Sequence, residues 1–525
     1  MAEAVATPGA TPQLRRDVSI WGSYMWGFAD VGADTYVALG LVIAASRGGA
    51  ALSFGLAGLV YIFIGMAYTE LASAYPVAGG GQYFSLRGLG DFWGMVAGSA
   101  LLLDYTIDIA LFALASAGYF NYLLEHLMGF APQSLEIGLG GLVPHFQWLF
   151  CLETLFLIGF LIGLNVKGMR ESSLLNEIVG VVVISLESLL VVLGFLFAWK
   201  PELLAYQWTH SFPDFKKLIY GSTLAIISFV GLESISQAAQ ETRRPATVIP
   251  RTSLSLIFTV FIFAVAFSVM GLGVLPWQDF AAHKENPVAA LAAAIPGVGL
   301  IAGPFAAVLG AIVLLISSNS GVMSASRVTY SMSQFRLISD WFHKVHPRFH
   351  TPSRTILVFS GIGVIETILA FLTKSAIATL ADMYAFGATF GYTLVFISLI
   401  VLRFRDPHCP RPYRIPINLP IRWKGTKVDF PLLGVVGGLS VFGFLIGVIY
   451  THHMARIAGP VWILASTGYY IWYRRSQRMP TLGSLQRDWE KMQTEVLTSA
   501  EEFDLLEQYR AALARHRKVE KAGNG

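Results

Sequence analysis

Charge is what this sequence has least of. Of its 525 residues only 13% are Asp, Glu, Lys or Arg, about half of the roughly 25% usual in a soluble globular chain. Cysteine is almost absent as well. Cys151 lies in a hydrophobic run and Cys409 in a basic loop, and two such thiols build neither a disulfide framework nor a metal site. The apolar runs hold no phosphate-binding glycine loop, no His or Cys set at metal-ligand spacing and no nucleophile–base pair, so the sequence supports no enzyme, no metal and no cofactor. The net charge of +4 comes without a basic run interleaved with aromatics, which argues against nucleic acid as a partner. The first residues, through Arg15 and Arg16, have neither the apolar stretch nor the small-residue cleavage site of a signal peptide.

What is abundant is apolar length. Hydrophobic residues make up 54% and aromatics 13% of the chain, the latter suited to two interfacial belts. Runs of about 20 residues, long enough to span a bilayer, occupy 20–45, 50–71, 91–123, 147–165, 174–198 and 218–240, then 251–275, 297–320, 354–373, 376–402, 430–450 and 457–473. The expected fold is an all-α polytopic membrane protein of about twelve spans, with the lipid bilayer as its surroundings. With the N-terminus inside, the inner joints collect 20 Lys and Arg. These run from Arg15, Arg16 and Arg87 through Lys167, Arg170, Arg243, Arg244 and Arg251 to the dense 403–427 stretch; the outer joints collect 7. The positive-inside rule then places both termini in the cytoplasm of a multi-pass cell-membrane protein. Residues 1–17 read as a cytoplasmic segment, 18–475 as the membrane domain, and 476–525 as a cytoplasmic tail. In the tail Leu485, Trp489, Met492, Val496, Leu506, Tyr509 and Leu513 recur at amphipathic helical spacing.

Acids inside the spans carry the sharpest signal. A carboxylate at the bilayer centre costs about 2.5–3.5 kcal/mol on insertion scales, yet the first span holds Asp30 and Asp34 and the third holds Asp104 and Asp108. Asp30 and Asp34 lie near the middle of their span, and Asp104 and Asp108, four residues apart, share one helix face. Two like charges so close cannot both stay ionised cheaply in a dry site, so one is protonated or a cation lies between them. The competing structural reading is a cap on a helix end or a bond to a neighbouring hydroxyl. The first span is also expected to be interrupted at Gly27-Phe28-Ala29-Asp30-Val31-Gly32, and the sixth at Ser228-Phe229-Val230-Gly231-Leu232-Glu233. Two interruptions five spans apart are the pattern of an inverted-repeat carrier with its solute between broken helices.

Several stretches make the sequence resemble a known group, the amino acid–polyamine–organocation superfamily of secondary transporters. Glu70-Leu71-Ala72-Ser73-Ala74-Tyr75-Pro76 leads into Gly79-Gly80-Gly81-Gln82-Tyr83 and Arg87-Gly88-Leu89-Gly90. Phe229-Val230-Gly231-Leu232-Glu233 is followed by Gln240-Glu241-Thr242, Pro245 and Ile249-Pro250-Arg251. Asn319 to Tyr330, and Leu402-Arg403 onward to Arg411-Pro412-Tyr413-Arg414-Ile415-Pro416, complete the set. The resemblance covers nearly all of 18–475. It implies a five-plus-five inverted repeat with broken helices 1 and 6, two extra helices, and a solute held midway by helices 1, 3, 6 and 8.

Departures from the pattern shape the expected ligand. Amino acid carriers of the group have a Gly-x-Gly turn in helix 1 whose amides take a carboxylate. Here the stretch reads Val31-Gly32-Ala33-Asp34-Thr35, and Asp34 repels a carboxylate. Ala29-Asp30-Val31-Gly32 and Asp104-Tyr105 are more similar to the potassium-importing branches, although Leu103-Asp104-Tyr105 also matches the Leu-Glu-Tyr of amino acid carriers. Helix 5 has no lysine but carries Glu177 and Glu187, no histidine lies deep in a span, and Ser317 and Ser318 are candidate sodium ligands. The candidate site is therefore Asp30, Gly32, Asp34, Asp104, Tyr105, Asp108, Phe229, Gly231, Glu233, Ser317 and Ser318. The expected function is secondary transport of a small cationic or zwitterionic solute, amino acid or amine first, coupled to a proton or sodium gradient. A potassium–proton symporter and a non-transporting membrane sensor are the alternatives.

Overall fold

A computed structural model describes residues 20–138, 145–167, 172–237, 239, 242–349, 351–423 and 426–523. The expected N-terminal segment 1–17, Arg170, Gln240, Glu241 and Lys424 lie outside the described residues, as does the side chain of Glu177. The helices are α1 (Ile20–Ser46), α2 (Ala50–Ala74), α3 (Gly81–Leu89), α4 (Asp91–Met128), α5 (Trp148–Lys167) and α6 (Ser172–Leu193). They continue with α7 (Pro201–His210), α8 (Phe215–Ala225), α9 (Glu233–Gln237), α10 (Pro245–Val274), α11 (Trp277–Ala282), α12 (Pro287–Ala293) and α13 (Gly299–Gln334). After α14 (Ser353–Phe371) and α15 (Ala376–Arg405) come an antiparallel hairpin, β1 (Asn418–Trp423) with β2 (Thr426–Pro431), then α16 (Leu432–Thr451), α17 (Ala455–Ser476), α18 (Trp489–Ser499) and α19 (Phe503–Gly523).

Ten segments among the described residues are long and apolar enough to cross a bilayer, and the first of them, Ile20–Ala74, holds both α1 and α2. The 22-residue α17 falls short on composition, with Arg456 and Pro460 in its first turns, but is long enough to span and turns Ile457, Val461, Leu464 and Trp472 outward. Counting the first segment as two and adding α17 gives the expected twelve. Spans 1 to 12 are thus α1, α2, α4, α5, α6, α8 with α9, α10, α13, α14, α15, α16 and α17.

The packing repeats when spans 1–5 are exchanged for spans 6–10. The first span α1 packs on the seventh, α10, as the sixth, α8 with α9, packs on the second, α2. In the same way α4 packs on α14, and α13 on α5, while α4 and α13 pack on each other at the centre. A five-span unit has an odd number of crossings, so its second copy enters from the opposite side, and the two copies are inverted.

One expectation is overturned. Span 1 is not interrupted: α1 runs as one helix over Ile20–Ser46. Its glycines serve packing instead. A Cβ on Gly27 would lie 2.6 Å from Leu256 Cδ2 and 2.9 Å from Ile235 Cδ1, so the missing side chain admits α9 and α10. Glycine weakens an isolated helix by about 1 kcal/mol, and here tertiary contact outweighs that. The break in span 6 is present. The helix tightens into a 3₁₀ turn over Ile226–Phe229, Val230 is extended, and Gly231 has φ +110° before α9 begins.

The motif residues that carried the resemblance make a frame at one end of the spans. Glu70, fully buried at the end of α2, accepts from Arg403 Nε at 2.6 Å and Nη2 at 2.7 Å and from the Ile415 amide at 2.8 Å, with Arg411 Nε at 3.4 Å. Arg87 on α3 pairs with Asp406 at 2.7 Å and lies over the Tyr75 ring. The tail is fastened to this frame. Arg487 and Arg474 both bond Asp91, Gln493 accepts from Arg87 and donates to the Ala74 carbonyl, and Glu502 accepts from the Ala246 amide.

Candidate functional site

The break in span 6 lies against the middle of α1. A Cβ on Gly231 would be 3.1 Å from Asp30 Oδ2 and 3.0 Å from a Val31 methyl, so only glycine lets the carboxylate reach the break. Its positive φ is the second reason, because a side chain is strained in that region. With α1 helical, Asp30 and Asp34 share one face. Ser317 on α13 donates to Asp30 Oδ1 at 3.4 Å, and Ser320 and Ser234 lie near that carboxylate. Next to it, Glu233 at the start of α9 accepts from the Gly231 amide at 3.2 Å and from Tyr392 of α15 at 2.9 and 3.1 Å.

Helix α4 supplies the other pair. Asp104 is fully buried, and among the described residues neither of its carboxylate oxygens has a hydrogen-bond partner. It sits where α15 comes closest, since a Cβ on Gly387 would lie 3.0 Å from the Asp104 amide nitrogen. Asp108 faces α13 at Gly321, whose missing side chain leaves room for its carboxylate, and accepts from Tyr384 of α15 at 3.4 Å. Tyr105 is bonded by Gln237 at the end of α9.

These acids form one electrostatic unit. The strongest charge neighbours of Asp34 are Asp30, Asp108, Glu233 and Asp104, all of them acids. Those of Asp108 are Asp30, Asp104 and Glu233. Five buried carboxylates thus act on one another from α1, α4 and α9. Among the described residues no three acids, histidines or cysteines converge on a metal position, and like charges so close to one another cannot all stay ionised cheaply. Such a set of acids attracts a cation or binds protons.

The structure brings together Asp30, Asp34, Asp104, Tyr105, Asp108, Gly231, Glu233 and Ser317. Gly32 is on α1 against its own Phe28 ring. Phe229 stacks on Tyr61 of α2 at 5.0 Å, a wall of the break. Ser318 turns away and donates to the Ile109 carbonyl at 2.8 Å, tying α13 to α4. Sequence reading missed Tyr384 and Tyr392. They are eight residues apart on one face of α15, a spacing that simple packing also produces. It missed Glu366 on α14 too, which accepts from Thr106 on the opposite side of α4 at 3.1 Å.

Relatives place this geometry in a family. The chain matches the amino acid permease family model over residues 19–469. It is 26% identical over 477 residues to the branched-chain amino acid permease BcaP of Bacillus subtilis (strain 168), covering 90% of this chain and 96% of the relative. The methylthioribose transporter of the same organism is 26% identical over 418 residues, 79% of this chain and 87% of the relative. Cationic amino acid transporter 4 of Mus musculus is 28% identical over 406 residues, 76% of this chain and 61% of the relative. Matched from the first span to the last, with a five-span repeat around a broken sixth helix, the chain belongs to the amino acid permease family and is a multi-pass membrane transporter, not an enzyme.

Proposed function

We propose that the chain carries a cationic amino acid or a related amine across the cell membrane, with both termini in the cytoplasm and the solute's ammonium groups drawn to the acids around Gly231. The observation that carries this reading is the set of five mutually interacting acids, Asp30, Asp34, Asp104, Asp108 and Glu233, whose strongest charge neighbours are one another. A second amino group offsets a field that a lone carboxylate ligand would oppose. The names of several relatives, cationic amino acid transporters of Mus musculus, Arabidopsis thaliana and Homo sapiens, support the same class. A proton or sodium gradient supplies the drive, with Ser317 beside Asp30 and the carboxylates themselves as the groups that meet the coupling ion. Residues 18–475 do the carrying; 1–17 and 476–525 are cytoplasmic.

The test is Asp104→Asn. The amide keeps the shape and removes the charge, and it is cheaper to bury than an ion, so abundance stays near normal. If Asp104 meets the solute or its coupling ion, uptake of arginine or lysine falls by about tenfold or more, the factor that about 1.4 kcal/mol of lost binding gives. Unchanged uptake in both Asp104→Asn and Asp108→Asn refutes the cation site. Competition by potassium alone, with no amino acid or amine effective, moves the assignment to potassium.

A further inference from the structure

The C-terminal tail reaches across the ends of several spans. Helices α18 and α19 form a hairpin closed around Leu497, Leu506 and Tyr509. On one side Arg487, just before α18, bonds Asp91 at the start of α4 and donates to the Phe335 carbonyl, just past α13, at 2.8 Å. The Asp91 amide also donates to Ser484 Oγ at 3.1 Å. On the other side Gln493 donates to the Ala74 carbonyl at the end of α2 at 2.9 Å. Glu502, in the turn of the hairpin, accepts from the Ala246 amide in the first turn of α10 at 3.0 Å. Between the two sides Trp489 packs edge-on against Tyr83 of α3, with the Arg87 guanidinium over its ring.

Those attachments fall on two different packing groups. Helices α1, α2, α8 with α9, and α10 pack on one another, and α4, α5, α13 and α14 make a second set. The central acids are divided between them, Asp30, Asp34 and Glu233 with the first and Asp104 and Asp108 with the second. A carrier built on inverted repeats moves its solute by rocking one group against another, so a path to these acids opens where the helix ends of the two groups part. The tail is bonded to both groups at one end of the spans, to α2 and α10 in the first and to α4 and α13 in the second. With the tail docked, none of the five acids is more than 7% exposed. The gap between the groups is also filled beneath it. A Cβ on Gly79 would lie 2.5 Å from Ser331 Oγ of α13, and one on Gly80 would lie 2.5 Å from Ser236 Oγ of α9. The loop before α3 is thus wedged between the groups, and Arg87 of α3 donates to Gln493 at 3.0 Å.

We propose that the tail is a clasp: docked, it holds the two helix groups together at its end of the spans, and it must lift from one of them before the central acids can be reached from that side. The inference rests on the reading of those acids as the solute site. The bonds to the first group are to main-chain atoms at helix ends, which water can satisfy when the hairpin lifts. The clasp therefore opens without unfolding either group, and a segment that lends no side chain to the site sets how readily the site is reached.

The test is made on purified protein without solute, so it fails separately from the solute reading, which uptake by Asp104→Asn decides. In a parent carrying Cys151→Ser and Cys409→Ser, a single Ser324→Cys on α13 reports the path. Ser324 is buried and lies two turns from Ser317, on the face of α13 that meets Asp30. It is about 16 Å along the helix from the Phe335 carbonyl that Arg487 holds, so uncovering the surface under the tail does not by itself expose it. Gln493→Ala with Glu502→Ala frees the tail from α2 and α10 while Arg487 keeps it on α4 and α13. This pair is expected to raise the alkylation rate of Ser324→Cys about tenfold, the factor that about 1.4 kcal/mol gives. Ser222→Cys, buried on α8 beside Ser53, is the control and is expected to keep its rate. An unchanged rate at Ser324→Cys overturns the proposal, and so does an equal rise at both positions, which marks a general loosening. Should the double variant fail to give folded protein, Glu502→Ala alone is read by the same outcomes.

Discussion

Replacing Gly231 by alanine adds one methyl group at the break in span 6, and the structure says what that methyl meets. The residue has φ +110°, a region that side chains occupy only at a cost of about 1–3 kcal/mol. The new carbon would also lie 3.0 Å from Val31 Cγ2, 3.1 Å from Asp30 Oδ2 and 3.2 Å from Asp30 Cγ. Overpacking of this kind costs about 1–3 kcal/mol. The two penalties relieve one another in part, because a backbone that relaxes also withdraws the methyl, so a total of about 2–4 kcal/mol is expected. Relaxing toward a helix would join α8 to α9 and take away the Gly231 amide that Glu233 accepts. The variant should therefore lose both stability and transport. Gly361→Ala on α14 is the control, since its Cβ meets nothing within 4 Å and alanine favours a helix by up to about 1 kcal/mol. Thermal unfolding of purified protein, followed by tryptophan fluorescence, reads the first effect, and uptake into cells reads the second. If Gly231→Ala melts and transports like the parent while Gly361→Ala behaves as expected, the break is not a constrained part of the site and the reasoning fails.

Glu70→Ala leaves Arg403 and Arg411, exposed by only 3% and 4%, without their carboxylate, an uncompensated burial that costs about 3–5 kcal/mol; equal half-lives in detergent for variant and parent would contradict the frame assigned to these motif residues. Cysteines placed singly at Ser134 and Arg422 should differ, with an impermeant maleimide labelling only the former in intact cells. The native thiols add little background, since Cys151 is buried and burial pushes the Cys409 thiol up to about 12. Labelling at Arg422 would invert the topology. Truncation after Ser476 removes Arg487, Gln493 and Glu502 from the ends of the spans but no central acid, so insertion and some uptake are expected to persist at an altered rate. Normal insertion with no uptake at all would make the tail a part of the carrier.

Span number and the central acids were legible because hydrophobic length and buried charge are local properties. The break in span 6 and the expected break in span 1 looked alike, each with glycine and an acid inside an apolar run. What separates them is tertiary. Gly27 gives its missing Cβ to Leu256 and Ile235 within a regular helix, whereas Gly231 uses its freedom to adopt positive φ. No composition rule distinguishes a glycine that packs from one that turns. The contributions of α15 were hidden for a related reason. Tyr384 and Tyr392 reach Asp108 and Glu233 across 276 and 159 residues of chain, and nothing near them in sequence announces it. The hairpin β1–β2 lies within a basic loop read only for its charge.

Two groups of buried acids differ in their surroundings, and the difference bears on function. Toward the ends of the spans three acids are paired with bases: Glu70 with Arg403, Asp406 with Arg87, and Asp91 with Arg474 and Arg487. The sequence is therefore well able to neutralise a buried carboxylate with a base from a neighbouring helix. Around Gly231 the strongest neighbours of the acids are other acids, and among the described residues Asp104 lacks even a hydrogen-bond partner. Each such group carries a cost of about 2.5–3.5 kcal/mol on insertion scales that an asparagine would reduce. On the proposed function, the five central acids are left without bases so that a cation arriving from outside can take that place. Whatever cation fills it binds the folded protein only, so stability rises with its concentration by mass action, and that dependence separates a transport site from a set of structural carboxylates.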